Sequence, residues 1–293
     1  MTRHDTAALP VPPWALALVA ITSVQLASAL SVGFIDEVGA AGAAWLRLSF
    51  GALMFLAIAR PPLRTVRRAD LPALVGLGIA TGVMTICFLA AIARIPLGTA
   101  VAIEFLGPLT VAGLRRRSAG GLIWPALALV GVVALTEPWR GSIAAGGIAF
   151  AACAAVGWGS YIVLTQRVGD RFTGLGPLSI TVAIGAATAA RVGIPQARGH
   201  LTVGVLLTAI GLALLLPVIP FALEMLALRQ MTPTAFGTLM AIEPAMGTLL
   251  GLVVLKQTPG LLPALGVACV VLAGAGAQRG GRRAPRPSTE PGA

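Results

Sequence analysis

Long apolar runs separated by short polar gaps fill this chain from residue 14 to residue 277. Ten segments can be marked, at about 14–34, 40–59, 71–92, 97–114, 121–137, 143–165, 175–194, 203–228, 234–255 and 260–277. Each is close to the roughly 20 residues a helix needs to cross the hydrocarbon core of a bilayer. The pattern predicts an all-α integral membrane protein of ten transmembrane helices. Residues 1–13 precede them as a short N-terminal segment, and residues 278–293, rich in Arg, Pro and Gly, read as a disordered tail near anionic headgroups.

Composition sharpens this picture. The chain is 57% hydrophobic and 11% charged, with a mean hydropathy of +0.92, far from the roughly 25% charged residues of soluble domains. Its net charge of +11 does not point to nucleic acid, because the basic residues occupy alternate gaps between apolar runs. If the N-terminus is cytoplasmic, fifteen basic residues fall on the cytoplasmic side and five outside, with Arg47 left inside a span. That bias puts both termini of this multi-pass membrane protein in the cytoplasm. Ala27-Ser28-Ala29 fits a cleavage pattern formally, but the n-region has only Arg3, so a retained first helix is expected. Cys87, Cys153 and Cys269 lie in three different apolar runs and read as small buried hydrophobes, with no disulfide and no metal site. His4 and His200 lie in polar segments, which excludes a histidine relay in the membrane.

Against this apolar background the few buried charges are the candidates for chemistry. Glu243 is the tenth residue of the ninth segment, near the bilayer midplane, where a charge costs about 3 kcal/mol on insertion scales. Pro244 follows it, lacks an N–H, and leaves the carbonyl of Met240 without its helical partner. A carboxyl group beside a freed carbonyl suits a cation, a proton or a substrate ammonium; the competing reading is a carboxylate neutralised by Arg47. Glu104, in the fourth segment, is a second candidate, with a buried structural carboxylate as its alternative. Glu224 follows Pro217 and Pro220, which should kink the eighth segment, and Arg229 is its expected interfacial partner. Gln25, Trp158, Ser160, Tyr161, Thr165 and Gln166 complete the polar or amphipathic set, Tyr161 reading as an interface anchor or a ligand group. No GxxxxGK[ST] loop or nucleotide-binding domain is present, and no GxSxG, HExxH or paired Cys/His cluster. ATP-driven work, enzymatic activity and a bound cofactor are not expected.

The chain also resembles itself. Gly121-Leu122-Ile123-Trp124-Pro125-Ala126-Leu127 parallels Gly260-Leu261-Leu262-Pro263-Ala264-Leu265, and the fourth and ninth segments align when Pro108 is set against Pro244. Glu104 then falls opposite Met240, three residues before Glu243 and on roughly the same helical face. Residues 14–137 and 143–277 thus read as two five-helix repeats. Five being odd, the second enters the membrane inverted, as in secondary transporters.

At Pro96-Leu97-Gly98-Thr99-Ala100-Val101-Ala102-Ile103-Glu104-Phe105-Leu106-Gly107-Pro108 and Phe236-Gly237-Thr238-Leu239-Met240-Ala241-Ile242-Glu243-Pro244-Ala245, the sequence resembles the EamA-type transporters of the drug/metabolite transporter superfamily. Within them it is most similar to the bacterial threonine/homoserine exporter group. Leu46-Arg47-Leu48, Gly157-Trp158-Gly159-Ser160-Tyr161-Ile162 and Pro220-Phe221-Ala222-Leu223-Glu224-Met225 extend the match. The resemblance implies a bacterial inner-membrane exporter of small amino acids or related metabolites, driven by inward proton flow, with lipophilic drugs or other metabolites as the alternative cargo and a non-transporting membrane sensor or enzyme as the alternative from another class. Its partners are then a small-molecule substrate, a proton and the lipid bilayer, with homodimer formation left open. One departure stands out: members of the family often carry Leu-Gly-Glu after the ninth helix, and this chain has Leu255-Lys256-Gln257.

Overall fold

The structure, a computed structural model, describes residues 11–58, 67–115, 119–137, 139, 144–169 and 176–279. All regular structure among the described residues is helical. Eight helical segments are long and apolar enough to cross a membrane: Pro13–Val38, Ala40–Ile58, Arg68–Ile92, Leu97–Leu114, Ala145–Thr165, Leu178–Ala197, Val203–Leu228 and Ala235–Leu255. Two further apolar helices, Ile123–Thr136 and Leu261–Ala277, are shorter. They coincide with the fifth and tenth apolar segments.

Several segments are subdivided. The elements are α1 (Pro13–Val38), α2 (Ala40–Ile58), α3 (Leu71–Ile92), α4 (Leu97–Glu104), α5 (Leu106–Arg115), α6 (Ala119–Thr136) and α7 (Ala145–Gly169). They continue with α8 (Gly176–Ala197), α9 (Val203–Ala213), α10 (Ile219–Gln230), α11 (Pro233–Met240), α12 (Glu243–Leu255) and α13 (Leu261–Arg279). Between α9 and α10 a π-helical turn, Leu214–Val218, carries the expected proline kink: Leu216 is extended, at φ −159° and ψ 112°. Ser23 of α1 donates its hydroxyl to the Leu215 carbonyl at 2.7 Å, satisfying a group that the distortion frees.

The core is built on small residues. Ala17, Ala20, Ala27, Ala44, Ala100 and Ala128 are among those fully buried, so helix backbones approach closely, as they must in lipid, where the hydrophobic effect does not drive helices together. On α6 and α13 the approach is reciprocal. A Cβ on Gly131 would lie 2.7 Å from the Gly266 carbonyl oxygen, and one on Gly266 would lie 2.5 Å from that of Gly131. Large apolar side chains such as Leu53, Ile58, Val156, Leu207 and Leu272 are exposed, the arrangement expected of a surface facing lipid.

The cysteines depart from expectation. Cys87 is buried, but Cys153 is exposed and Cys269 half-buried. The Cys87 and Cys153 thiols, on the packed helices α3 and α7, lie 3.1 Å apart.

Glutamine amides fix two helix starts. Oε1 of Gln196 accepts from the N–H groups of Ala41 and Gly42 at 2.9 and 3.3 Å. Oε1 of Gln257 accepts from Leu97 N–H at 3.0 Å. The second case explains the departure at Leu255-Lys256-Gln257. Lys256 takes a left-handed conformation (φ 58°) that ends α12 and swings Gln257 onto the first turn of α4, where a neutral amide supplies the acceptor.

Candidate functional site

The fourth and ninth segments are each interrupted, and at matching places. Glu104 is the last residue of α4, Phe105 stands between helices, and Pro108 lies in the first turn of α5. Met240 is the last residue of α11, Ala241 and Ile242 stand between helices, and Pro244 lies in the first turn of α12. Each proline comes four residues after the end of the preceding half-helix, so the carbonyl there has no N–H to receive. A single lost hydrogen bond was the expectation from sequence; the chain breaks instead, and proline takes the early helical position it favours.

The two breaks meet. A Cβ on Gly274 of α13 would lie 2.7 Å from Cβ of Ala241 and 2.7 Å from Cε1 of Phe105, so this glycine lets both interruptions close on one point. Trp158 of α7 holds Phe105 from another side, its ring T-shaped to that of Phe105 with centroids 6.0 Å apart.

Charged groups gather round this point. Glu243, 7% exposed, is the first residue of α12, at the helix end that favours an anion. Glu104, partly accessible, ends α4, where the dipole favours a cation nearby. Arg47 of α2 supplies that cation: it is 5% exposed and its guanidinium interacts electrostatically with Glu104. Among the described residues no direct salt bridge joins the two, and Nη1 of Arg47 is buried without a hydrogen-bond partner. Glu104 is thus a carboxylate whose charge acts on Arg47.

Glu243 instead lies in the fields of two other carboxylates, Glu224 and Glu104. Glu224, on α10 and partly accessible, also acts on the Tyr161 hydroxyl of α7. Its expected partner, the side chain of Arg229, lies outside the described residues. Among the described residues the charge of Glu224 bears on Tyr161 and Glu243. Three carboxylates and one guanidinium form the cluster, a formal excess of negative charge that protons or a substrate ammonium can balance.

Gln25 of α1 completes the site. It is 2% exposed, and its Oε1 is buried without a hydrogen-bond partner. That oxygen faces Gly247, one helical turn after Glu243: a Cβ there would lie 3.1 Å from it and 3.0 Å from Cγ2 of Val101. Val101 is one turn before Glu104. The candidates Gln25, Arg47, Glu104, Glu243 and Pro244 therefore share one interior region, with Trp158 packed on its edge and Glu224 and Tyr161 coupled to it by charge. Among the described residues no cluster of three or more His, Cys, Asp or Glu is arranged to hold a metal ion.

Comparison with known proteins identifies the family. A profile described as the EamA-like transporter family matches residues 145–276. A threonine/homoserine exporter, RhtA, of Salmonella typhimurium is 34% identical, with 96% of this chain and 97% of that protein aligned. The protein of the same description in Escherichia coli K12 is 34% identical over 90% of each chain. A solved crystal structure superposes with a TM-score of 0.57 at 18% identity, covering 90% of this chain and 97% of that one, a likeness that shows the fold alone. The chain belongs to the EamA-like transporter family.

Proposed function

We propose that this protein exports small amino acids of the threonine and homoserine kind across a bacterial inner membrane, in exchange for protons, by alternating access. The meeting of two broken helices at Gly274, with Glu104 and Glu243 at their ends, carries this reading. Secondary transporters place substrate sites near the midplane at half-helix ends of this kind. The names of the relatives supply the substrate class.

In this reading the chain forms ten transmembrane helices in two inverted repeats, residues 14–137 and 143–277, with both termini cytoplasmic. Support comes from which helices are neighbours. Exchanging each segment with its counterpart five places on preserves several of the main pairings, although the packing of the second segment on the third (α2 and α3) has no equal between the seventh and eighth. The second packs on the seventh (α2 and α8), the fourth on the ninth (α4 and α12) and the fifth on the tenth (α6 and α13). The third packs on the sixth (α3 and α7) as the eighth packs on the first (α10 and α1).

Glu243 takes a proton from outside, which neutralises its carboxylate and lets the site return inward. Proton release there frees the carboxylate to hold the substrate ammonium, while Arg47 Nη1, unpartnered in the resting site, receives the substrate carboxylate. Glu104 keeps Arg47 in place between cycles, and Glu224 and Tyr161 extend the proton path. Efflux of labelled threonine or homoserine from proteoliposomes tests this function. Release above that of empty liposomes supports it, and its absence with a folded protein contradicts it.

A lipophilic compound as cargo is the second reading. It takes support from an apolar groove of about 630 Å³ beside α4, α5 and α7, lined by Ile103, Leu106, Val111, Ala155 and Val163 among others. A survival panel of toxic compounds separates the two: an amino-acid exporter protects only against amino acids and their analogues.

A further inference from the structure

Gln25 has a more specific part to play than lining the site, and this inference rests on the exporter reading above. An amide oxygen that is fully enclosed and unpartnered is an unfavourable arrangement, because the desolvation of the acceptor is not repaid. In a site for small molecules it is the arrangement expected where a ligand brings the missing donor. The surroundings say which donor. Gln25 is neutral, whereas the nearby Glu243 and Glu104 are the natural partners of an ammonium, and Arg47 Nη1 that of a carboxylate. A zwitterionic amino acid engaged by those groups has only its side chain left to offer.

Geometry agrees. Oε1 of Gln25 lies at the level of Gly247, about 6 Å along α12 from Glu243 at 1.5 Å per residue. That spacing suits an amino acid whose ammonium rests on the carboxylate and whose donor sits one or two carbons beyond the α-carbon. The amide oxygen lies close against α12: a Cβ on Gly247 would come within 3.1 Å of it and 3.0 Å of Val101. A hydroxyl also pairs with either end of an amide, since it both donates and accepts.

We infer that Gln25 is a specificity-determining residue that receives the side-chain hydroxyl of the exported amino acid, so that hydroxylated substrates are selected over apolar isosteres. The test uses two isosteric pairs, threonine with valine and homoserine with norvaline. Initial efflux of each is measured from proteoliposomes containing the full chain. The expected result is a preference of at least about tenfold for the hydroxylated member of each pair in the wild type. That ratio should collapse toward one in Gln25→Met, because the threonine and homoserine rates fall more than those of valine and norvaline. Gln25→Asn keeps the amide but withdraws it by one methylene, and should lower the ratio as well. Equal wild-type rates within each pair would overturn the inference while leaving the exporter reading intact, as would an unchanged ratio in either variant. If the folded wild type releases none of the four compounds, the exporter reading fails and this inference fails with it.

Discussion

Glu104 closes one half-helix and Glu243 opens another, and the charge of Glu104 bears on Glu243 through the buried interior. Between them they have one described cation, Arg47, and it answers to Glu104. That unequal sharing generates the first prediction. Arg47→Met leaves Glu104 without the opposite charge that acts on it and should lower the thermal unfolding temperature of the protein. Adding Glu104→Gln should recover most of that loss in thermal unfolding, while export stays impaired in both proteins. A double variant no more stable than Arg47→Met would show that Arg47 is held by other groups.

Gly274 makes a second prediction possible. Its Cβ would meet Ala241 and Phe105 at 2.7 Å each, so Gly274→Ala should force the two helix breaks apart and cost about 1–3 kcal/mol of stability by overpacking. Ala241→Gly in the same protein removes one of the two clashes and should restore part of the loss. Thermal melting of the solubilised variants checks both statements.

The glutamine just beyond the C-terminal end of α12 gives a third. Gln257→Ala removes the acceptor for Leu97 N–H and should cost about 0.5–2 kcal/mol, the range for losing a helix cap. Gln257→Glu, which supplies the acid common at the end of this pattern in related proteins, retains an acceptor and should melt near the wild type. Export by Gln257→Glu should also stay near wild type, because the role of this position is to hold α4.

Much of this was legible in the sequence, and what was not has physical causes. The ten apolar segments and the proline-bearing carboxylate at Glu243 stand out because a bilayer imposes length and polarity rules that the residues must obey. The kink at Pro217 and Pro220 was legible for the same reason: proline cannot complete a helix. The interruptions at Phe105 and at Ala241–Ile242 were not, since Phe, Ala and Ile break no helix on their own and the prolines responsible come two or three residues later. Nor could the sequence decide which carboxylate Arg47 serves, because Glu104 and Glu243 are both distant along the chain. The approach of Cys87 to Cys153, separated by 66 residues, was hidden likewise. Gln25 was legible only as a polar residue in a span; its orphaned oxygen became visible once α1, α4 and α12 were in place.

The central claim is that Glu243 exchanges protons in step with substrate. Its most direct test is the rate of labelled threonine efflux from proteoliposomes as the external pH is lowered at constant internal pH. Acid outside loads Glu243 from that face and should speed efflux in the wild type. Glu243→Gln, fixed in a neutral state, should lose that dependence, and its rate under the gradient should fall by roughly tenfold or more, equivalent to at least about 1.4 kcal/mol. A Glu243→Gln protein that exports as fast as the wild type, with the same dependence on external pH, would contradict the account.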